Sequence, residues 1–188
     1  MSGGDPYVYP NTQILRNKLG IRSAARLEDV ERRAAMQRIA QGVPSGDFDL
    51  DHLCAIHRHL FQDIYAWAGE VRRVSLAKGG SEFQPPRFIA TGMADVHSRL
   101  TATDFLRNMN RSAFAEAAAQ ILSDVNYVHP FREGNGRTQL QYFKLLALNA
   151  GHAAYLARLD PKRWLAASKA AHGGNYAPMA AEIAATLR

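Results

Sequence analysis

Two apolar runs of helical length constrain this chain more than any other feature: SAFAEAAAQILSDVNYV at 112–128 and QLQYFKLLALNAG at 139–151. A helix that is apolar on most of its sides must be surrounded by other elements, so this pair belongs in the middle of a helical domain. Ser112, with Glu116 in the first turns, predicts where the first run begins, and Gly151 where the second ends. Residues 24–41 supply an amphipathic partner, with Ser23 as N-cap and Leu27, Val30, Ala34 and Ile39 near one face. Residues 51–67 repeat the pattern through Leu53, Ile56, Leu60, Ile64 and Trp67. Residues 87–108 also read as helical, Asp160-Pro161 starts a further helix, and MAAEIAATLR forms the last. With 188 residues and 47% hydrophobic composition, the chain can build one core of its own, and a single domain over 1–188 is expected.

One segment breaks the helical pattern. VRRVSLAKGGSEFQPP opens with β-branched residues, turns at Gly79-Gly80 and stops at Pro85-Pro86, which predicts a β-hairpin over about 70–86 inserted before the central helices. The expected class is therefore all-α with one hairpin, and Ser2-Gly3-Gly4 reads as a flexible end. A lone cysteine, Cys54, makes neither an internal disulfide nor a cysteine-rich metal site. The net charge of +6 would suit an anionic ligand, but the basic residues are scattered and match no nucleic-acid-binding signature, so no nucleic-acid partner is expected. The absence of any apolar run of spanning length, and of a secretory start, predicts a protein without membrane association, acting in the cytoplasm.

Between the two apolar runs lies HPFREGNGR, residues 129–137. Pro130 resists continuing the first helix, while Gly134 and Gly136 permit unusual backbone geometry, so these residues predict a tight loop. A helix starting near Gly136 aims unpaired N–H groups into that loop, which makes an anion site suited to phosphate. Glu133 can hold a magnesium ion against phosphate oxygens, Asn135 can hydrogen-bond phosphate and Arg137 can pair with it through a planar fork. His129, at the mouth, can take a proton from an incoming hydroxyl. Attack by a hydroxyl on a magnesium-bound phosphate follows from that set. His52, His57 and His59 do not share one helical face, and read as ordinary surface or core histidines.

The run from His129 to Arg137 resembles the signature of Fic-domain proteins, H-x-F-x-[D/E]-G-N-G-R-x-x-R, at seven of its eight specified positions, and the order of elements suits the whole domain. The resemblance implies transfer of AMP from ATP to a hydroxyl side chain of a target protein. It implies His129 as general base, Glu133 as the Mg2+ ligand, and Arg137 on the leaving pyrophosphate. It implies that Phe131, counted with the nucleotide-binding residues, anchors the loop in the core, that Gly134, Asn135 and Gly136 hold phosphates with Arg137, and that Asn175 and Tyr176 lie near the adenine, although their residues read equally as a helix-linking turn. The flap, Lys78, Gly79, Gly80, Ser81, Glu82 and Phe83, is expected to pair edge-on with the target.

The chain departs from the signature at its last position, where Leu140 stands for an arginine that would meet the γ-phosphate. That keeps two alternatives open: transfer of another phosphate-containing group, or a non-catalytic binding module with a decayed site. The inhibitory pattern [S/T]-x-x-x-[E/D]-[G/N] of many Fic proteins is also missing, since Glu133 is the only acidic residue followed by Gly or Asn. The resemblance then implies a separate small antitoxin-like inhibitor as partner, and a toxin or an effector delivered into another cell as possible roles.

Overall fold

The elements are built around α4 (Arg111–Val128), which packs against α3 (Ile89–Ala102), α5 (Asn135–Asn149), α6 (Pro161–His172) and α7 (Ala177–Thr186). Its Phe114, Ala118, Ala119 and Val125 are fully buried, as the density of alanine along it requires for close helix packing. On the other side, α2 (Leu50–Phe61) lies against both α1 (Ala24–Ala40) and α5. A computed structural model describes residues 5–78 and 81–188, with the side chains of Lys78 and Ser81 excepted. The flexible end expected at Ser2-Gly3-Gly4, and the flap residues Gly79 and Gly80, lie outside the described residues.

The helix starts follow side-chain capping. Ser23 accepts the Arg26 N–H at α1, Asp49 accepts that of His52 at α2, and Asp160 accepts those of Lys162 and Arg163 at α6. At α4 the cap is Asn110, which accepts the Ala113 N–H, whereas the expected cap Ser112 donates to Glu116 one turn on. The inward face of α1 is also rotated from the expected one. Leu27, Glu31 and Ala35, four apart, are its buried residues, and Val30, Ala34 and Ile39 are only partly covered.

Two expected helices are shorter than their apolar pattern. α2 stops at Phe61 because the next carbonyls are taken from outside: Lys18 gives its backbone N–H to Ile64 and its ammonium to Gln62. Residues 62–69 then form successive turns that still bury Ile64, Tyr65, Trp67 and Ala68, so the pattern reported burial rather than helix. After α3, the Thr103 hydroxyl bonds the Arg99 and Leu100 carbonyls, and Asp104, Phe105 and Leu106 turn left-handed instead of extending the helix to 108.

The hairpin expected over 70–86 does not form as a sheet. Among the described residues it is reduced to a two-residue antiparallel pairing, Ala77 with Glu82 and Lys78 with Ser81, in an otherwise irregular segment. What joins its two arms at the base is a side chain: the Arg72 guanidinium bonds the Val74 carbonyl on one arm and the Gln84 carbonyl on the other. No helix among the described residues is long and apolar enough to cross a membrane.

Candidate active site

α4 ends at His129, whose backbone is left-handed at φ 47°, a conformation that costs a non-glycine residue about 1–2 kcal/mol. Three bonds hold it there. Its N–H reaches the Val125 carbonyl, its ring Nδ1 lies 3.1 Å from the Asn126 carbonyl, and its own carbonyl accepts Arg72 Nε at 2.7 Å. Since a carbonyl only accepts, the neutral ring carries its proton on Nδ1 and keeps Nε2 as the basic nitrogen.

The loop then drops Phe131 into the core, fully buried and stacked on the His57 ring at 3.9 Å. Phe131 is thus an anchor and not a nucleotide contact. The side chain of Asn135 is buried as well and faces the loop. Its Oδ1 accepts the Phe131 N–H and its Nδ2 donates to the Phe131 carbonyl, closing the loop across four residues. Gly134 has φ 82°, and a Cβ there would lie 2.5 Å from the Phe61 ring, so only glycine fits. Gly136 is the reverse case: it is an ordinary helical residue on α5, and a Cβ would meet nothing within 4 Å. Open space therefore faces the α5 start.

Two buried side chains brace this loop: Arg72, to which the sequence drew no attention, and His57, which reads there as an ordinary surface or core histidine. Arg72, 1% exposed, donates to the carbonyls of His129, Val74, Gln84 and Val128, while its N–H bonds the Pro130 carbonyl. One guanidinium thereby ties the base of the flap segment to the end of α4. His57 does the same from α2, with Nε2 donating to the Glu133 carbonyl at 3.0 Å and Nδ1 accepting the Gly69 N–H at 2.8 Å. Arg72 is indistinguishable from Arg73 in sequence, but His57 falls one residue after Ile56 on a buried helix, and that position was the available signal.

Burial pushes the His57 pKa down to about 3, outweighing the Glu133 carbonyl, which raises it, and Arg137 lowers it a little further. The ring is neutral in the fold, while the unfolded chain takes up a proton near pH 6.5. The stability it contributes is complete above that pH and is lost as pH falls toward 3, by up to about 1.4 kcal/mol per pH unit. Replacing His57 by glutamine should flatten the loss between pH 6.5 and 5 in urea unfolding, and an unchanged slope would place the pH response elsewhere.

Arg137 pairs with Glu31 of α1, lies 4.8 Å from the Phe61 ring centre and approaches Glu133 at 3.9 Å. The Glu31 carboxylate also accepts the Tyr65 hydroxyl, whose pKa burial pushes far above its ordinary range, with Glu31 adding to the effect. These residues line a cavity of about 330 Å³ with Gln13, Ile14 and Leu15 of the N-terminal segment and Glu28 of α1. Glu133 is half exposed and accepts the Gly134 N–H through Oε1. Among the described residues no three His, Cys, Asp or Glu side chains converge as a metal cage, so any cation here takes most of its ligands from elsewhere.

Of the expected flap, the backbones of Lys78 and Ser81 are paired, Glu82 is exposed, and Phe83 stacks face to face on His129 at 3.7 Å. Asn175 and Tyr176 sit on the turn between α6 and α7, Asn175 bonding the Ala170 carbonyl and Tyr176 packing on the core. The cluster at 129–137 is built without them, although His172, at the end of α6, has its ring centre 5.8 Å from that of Tyr127, two residues before His129.

The fold and this loop define the class. The Fic/DOC family model matches residues 47–147, and the chain belongs to that family. It is 41% identical over 95% of its length to a Sinorhizobium fredii protein named a probable protein adenylyltransferase, covering 94% of that protein. It is 37% identical to the protein adenylyltransferase VbhT of Bartonella schoenbuchensis, of which it spans 39%. Among solved structures, the BepC effector of Bartonella tribocorum with bound AMPPNP superposes with a TM-score of 0.88 at 25% identity, over 97% of this chain and 96% of that one.

Proposed function

We propose that this chain is a single-domain protein adenylyltransferase that moves AMP from ATP to a hydroxyl group on another protein. The observation that carries the reading is His129, whose Nδ1 is committed to the Asn126 carbonyl so that Nε2 is the basic nitrogen, set beside the start of α5 with Glu133 and Arg137. The activity named for its relatives, and the AMPPNP and ADP bound in solved neighbours, support the same reading.

His129 Nε2 accepts the proton of the target hydroxyl as its oxygen attacks the α-phosphorus. The bond from that phosphorus to the bridging oxygen breaks, and pyrophosphate leaves with the electron pair. Backbone N–H groups of Asn135, Gly136 and Arg137, in front of the open side of Gly136, hold the phosphates, and Arg137 neutralises charge on the leaving group. The half-exposed Glu133 fits magnesium, which is commonly held by one or two carboxylates plus substrate phosphates. When bound there, the ion screens the phosphate charge. Asn175 and Tyr176 reach the adenine side, a placement supported by the neighbouring contact of His172 with Tyr127. The paired edge at Ala77–Lys78 and Ser81–Glu82 offers backbone groups to a target strand.

A small inhibitor protein as partner is supported by the absence of the [S/T]-x-x-x-[E/D]-[G/N] pattern. A cytoplasmic site of action, in the producing cell or in one that receives the protein, is supported by the VirB-translocated effectors among its structural neighbours. Incubation with a lysate and labelled ATP tests the reading: label at the α position should be retained on protein, and label retained only from the γ position would reject it.

Leu140 favours a second feature, weak selection for the γ-phosphate. It is half-buried on α5, three residues past Arg137 and four past Gly136, on the same face. Leu140→Arg should tighten ATP relative to ADP by roughly tenfold, the equivalent of one charged hydrogen bond of about 1.4 kcal/mol. Calorimetry with both nucleotides reads this directly. A wild type that already prefers ATP strongly, with no gain in the variant, would remove Leu140 from the distal phosphate.

A further inference from the structure

Glu31 is a carboxylate in an apolar stripe. It stands one helical turn from Leu27 and one from Ala35, with its side chain 7% exposed. A charge in such a place persists only if paired and hydrogen-bonded, and both of its oxygens are engaged, one by Arg137 Nη2 and the other by the Tyr65 hydroxyl. Tyr65 is itself 1% exposed, so the far side of the carboxylate is fixed by the core. Arg137 is the more mobile partner by chemistry, with its side chain 32% exposed on a long stem. Glu31 takes one corner of its planar fork and Phe61 lies 4.8 Å from it, while Glu133 reaches it only at 3.9 Å.

We infer that Glu31, held from behind by Tyr65, is the positioning residue of Arg137, fixing the direction in which the guanidinium presents its remaining donors to phosphate. This rests on the nucleotide site proposed above. An arginine that must be ordered by its ligand forfeits side-chain entropy on binding, and one already held by a core carboxylate forfeits less. The cavity wall formed by Glu31, Tyr65, Glu133 and Arg137 places this device beside the phosphate loop. The helix α1 is thus part of the site, although Glu31 lies 106 residues before Arg137 in sequence.

Calorimetry of magnesium–ADP binding to wild type, Glu31→Gln, Arg137→Ala and the double variant tests the inference. Glu31→Gln and Arg137→Ala should each weaken ADP roughly tenfold, and the double variant should be no weaker than Arg137→Ala within about twofold, because both changes remove one unit. Tyr65→Phe leaves the carboxylate in place and deletes only its rear hydrogen bond. It should weaken ADP about threefold, and have no effect once Arg137 is alanine. Tighter binding by Glu31→Gln would make the pair a competitor of phosphate and overturn the inference while leaving the nucleotide site intact. Additive losses in the double variant would place Glu31 in the fold alone and overturn it as well. An Arg137→Ala protein that binds ADP as wild type does would overturn both the inference and the proposed site.

Discussion

Replacing His129 by alanine is expected to lower AMP transfer by about two to four orders of magnitude while nucleotide affinity stays nearly unchanged. The split follows from where the ring sits. His129 is joined to the loop by backbone bonds that alanine can keep, namely the N–H to Val125 and the carbonyl from Arg72. What alanine removes is the imidazole with its Nδ1 on the Asn126 carbonyl, and with it the basic nitrogen. The proposed phosphate-facing groups, from Asn135 to Arg137, belong to the other end of the loop. Single-turnover transfer and calorimetry on the same variant separate the two effects. Equal losses in both would mean that the ring supports the loop and takes no proton.

The second large effect is expected at Arg72. Methionine there preserves the apolar stem and strands four carbonyls, those of His129, Val74, Gln84 and Val128, in a site 1% exposed. An unsatisfied buried carbonyl costs about 1–3 kcal/mol, and relief of guanidinium desolvation offsets part of the sum, so a net loss of about 3 kcal/mol is expected. Urea unfolding at neutral pH measures it. The same variant frees the left-handed His129 from its strongest backbone partner, so its residual transfer should fall further than its nucleotide affinity. A variant as stable as wild type, with full transfer, would show that the guanidinium is replaceable by solvent.

The contrast between these two residues shows what the sequence made legible. His129, Glu133 and Arg137 were recognisable because their spacing around two glycines is a local property, and so was the burial of Phe131. The two glycines turned out to differ: Gly134 is needed by its left-handed φ and by the Phe61 ring, whereas Gly136 only leaves space. Asn135 was read as a phosphate ligand because an amide can bond either phosphate or backbone, and only the fold shows that it faces Phe131. Arg72, His57, Glu31 and Tyr65 act through partners that are distant in sequence for most of their contacts, which composition and periodicity do not report. Glu31 left one trace, since it breaks the four-residue stripe from Leu27 to Ala35. The expected hairpin over 70–86 was overestimated for a related reason: β-branched residues and a Gly-Gly turn allow a ladder, but Arg72 joins the two arms in its place.

Peptide mass spectrometry of a lysate incubated with this protein, ATP and magnesium shows whether AMP is transferred to protein hydroxyls. Peptides that carry one AMP on a serine, threonine or tyrosine hydroxyl are expected, formed by the wild-type chain and lost with His129→Ala. Peptides that gain only a phosphoryl group, or AMP adducts formed equally by His129→Ala, would contradict the proposed reaction.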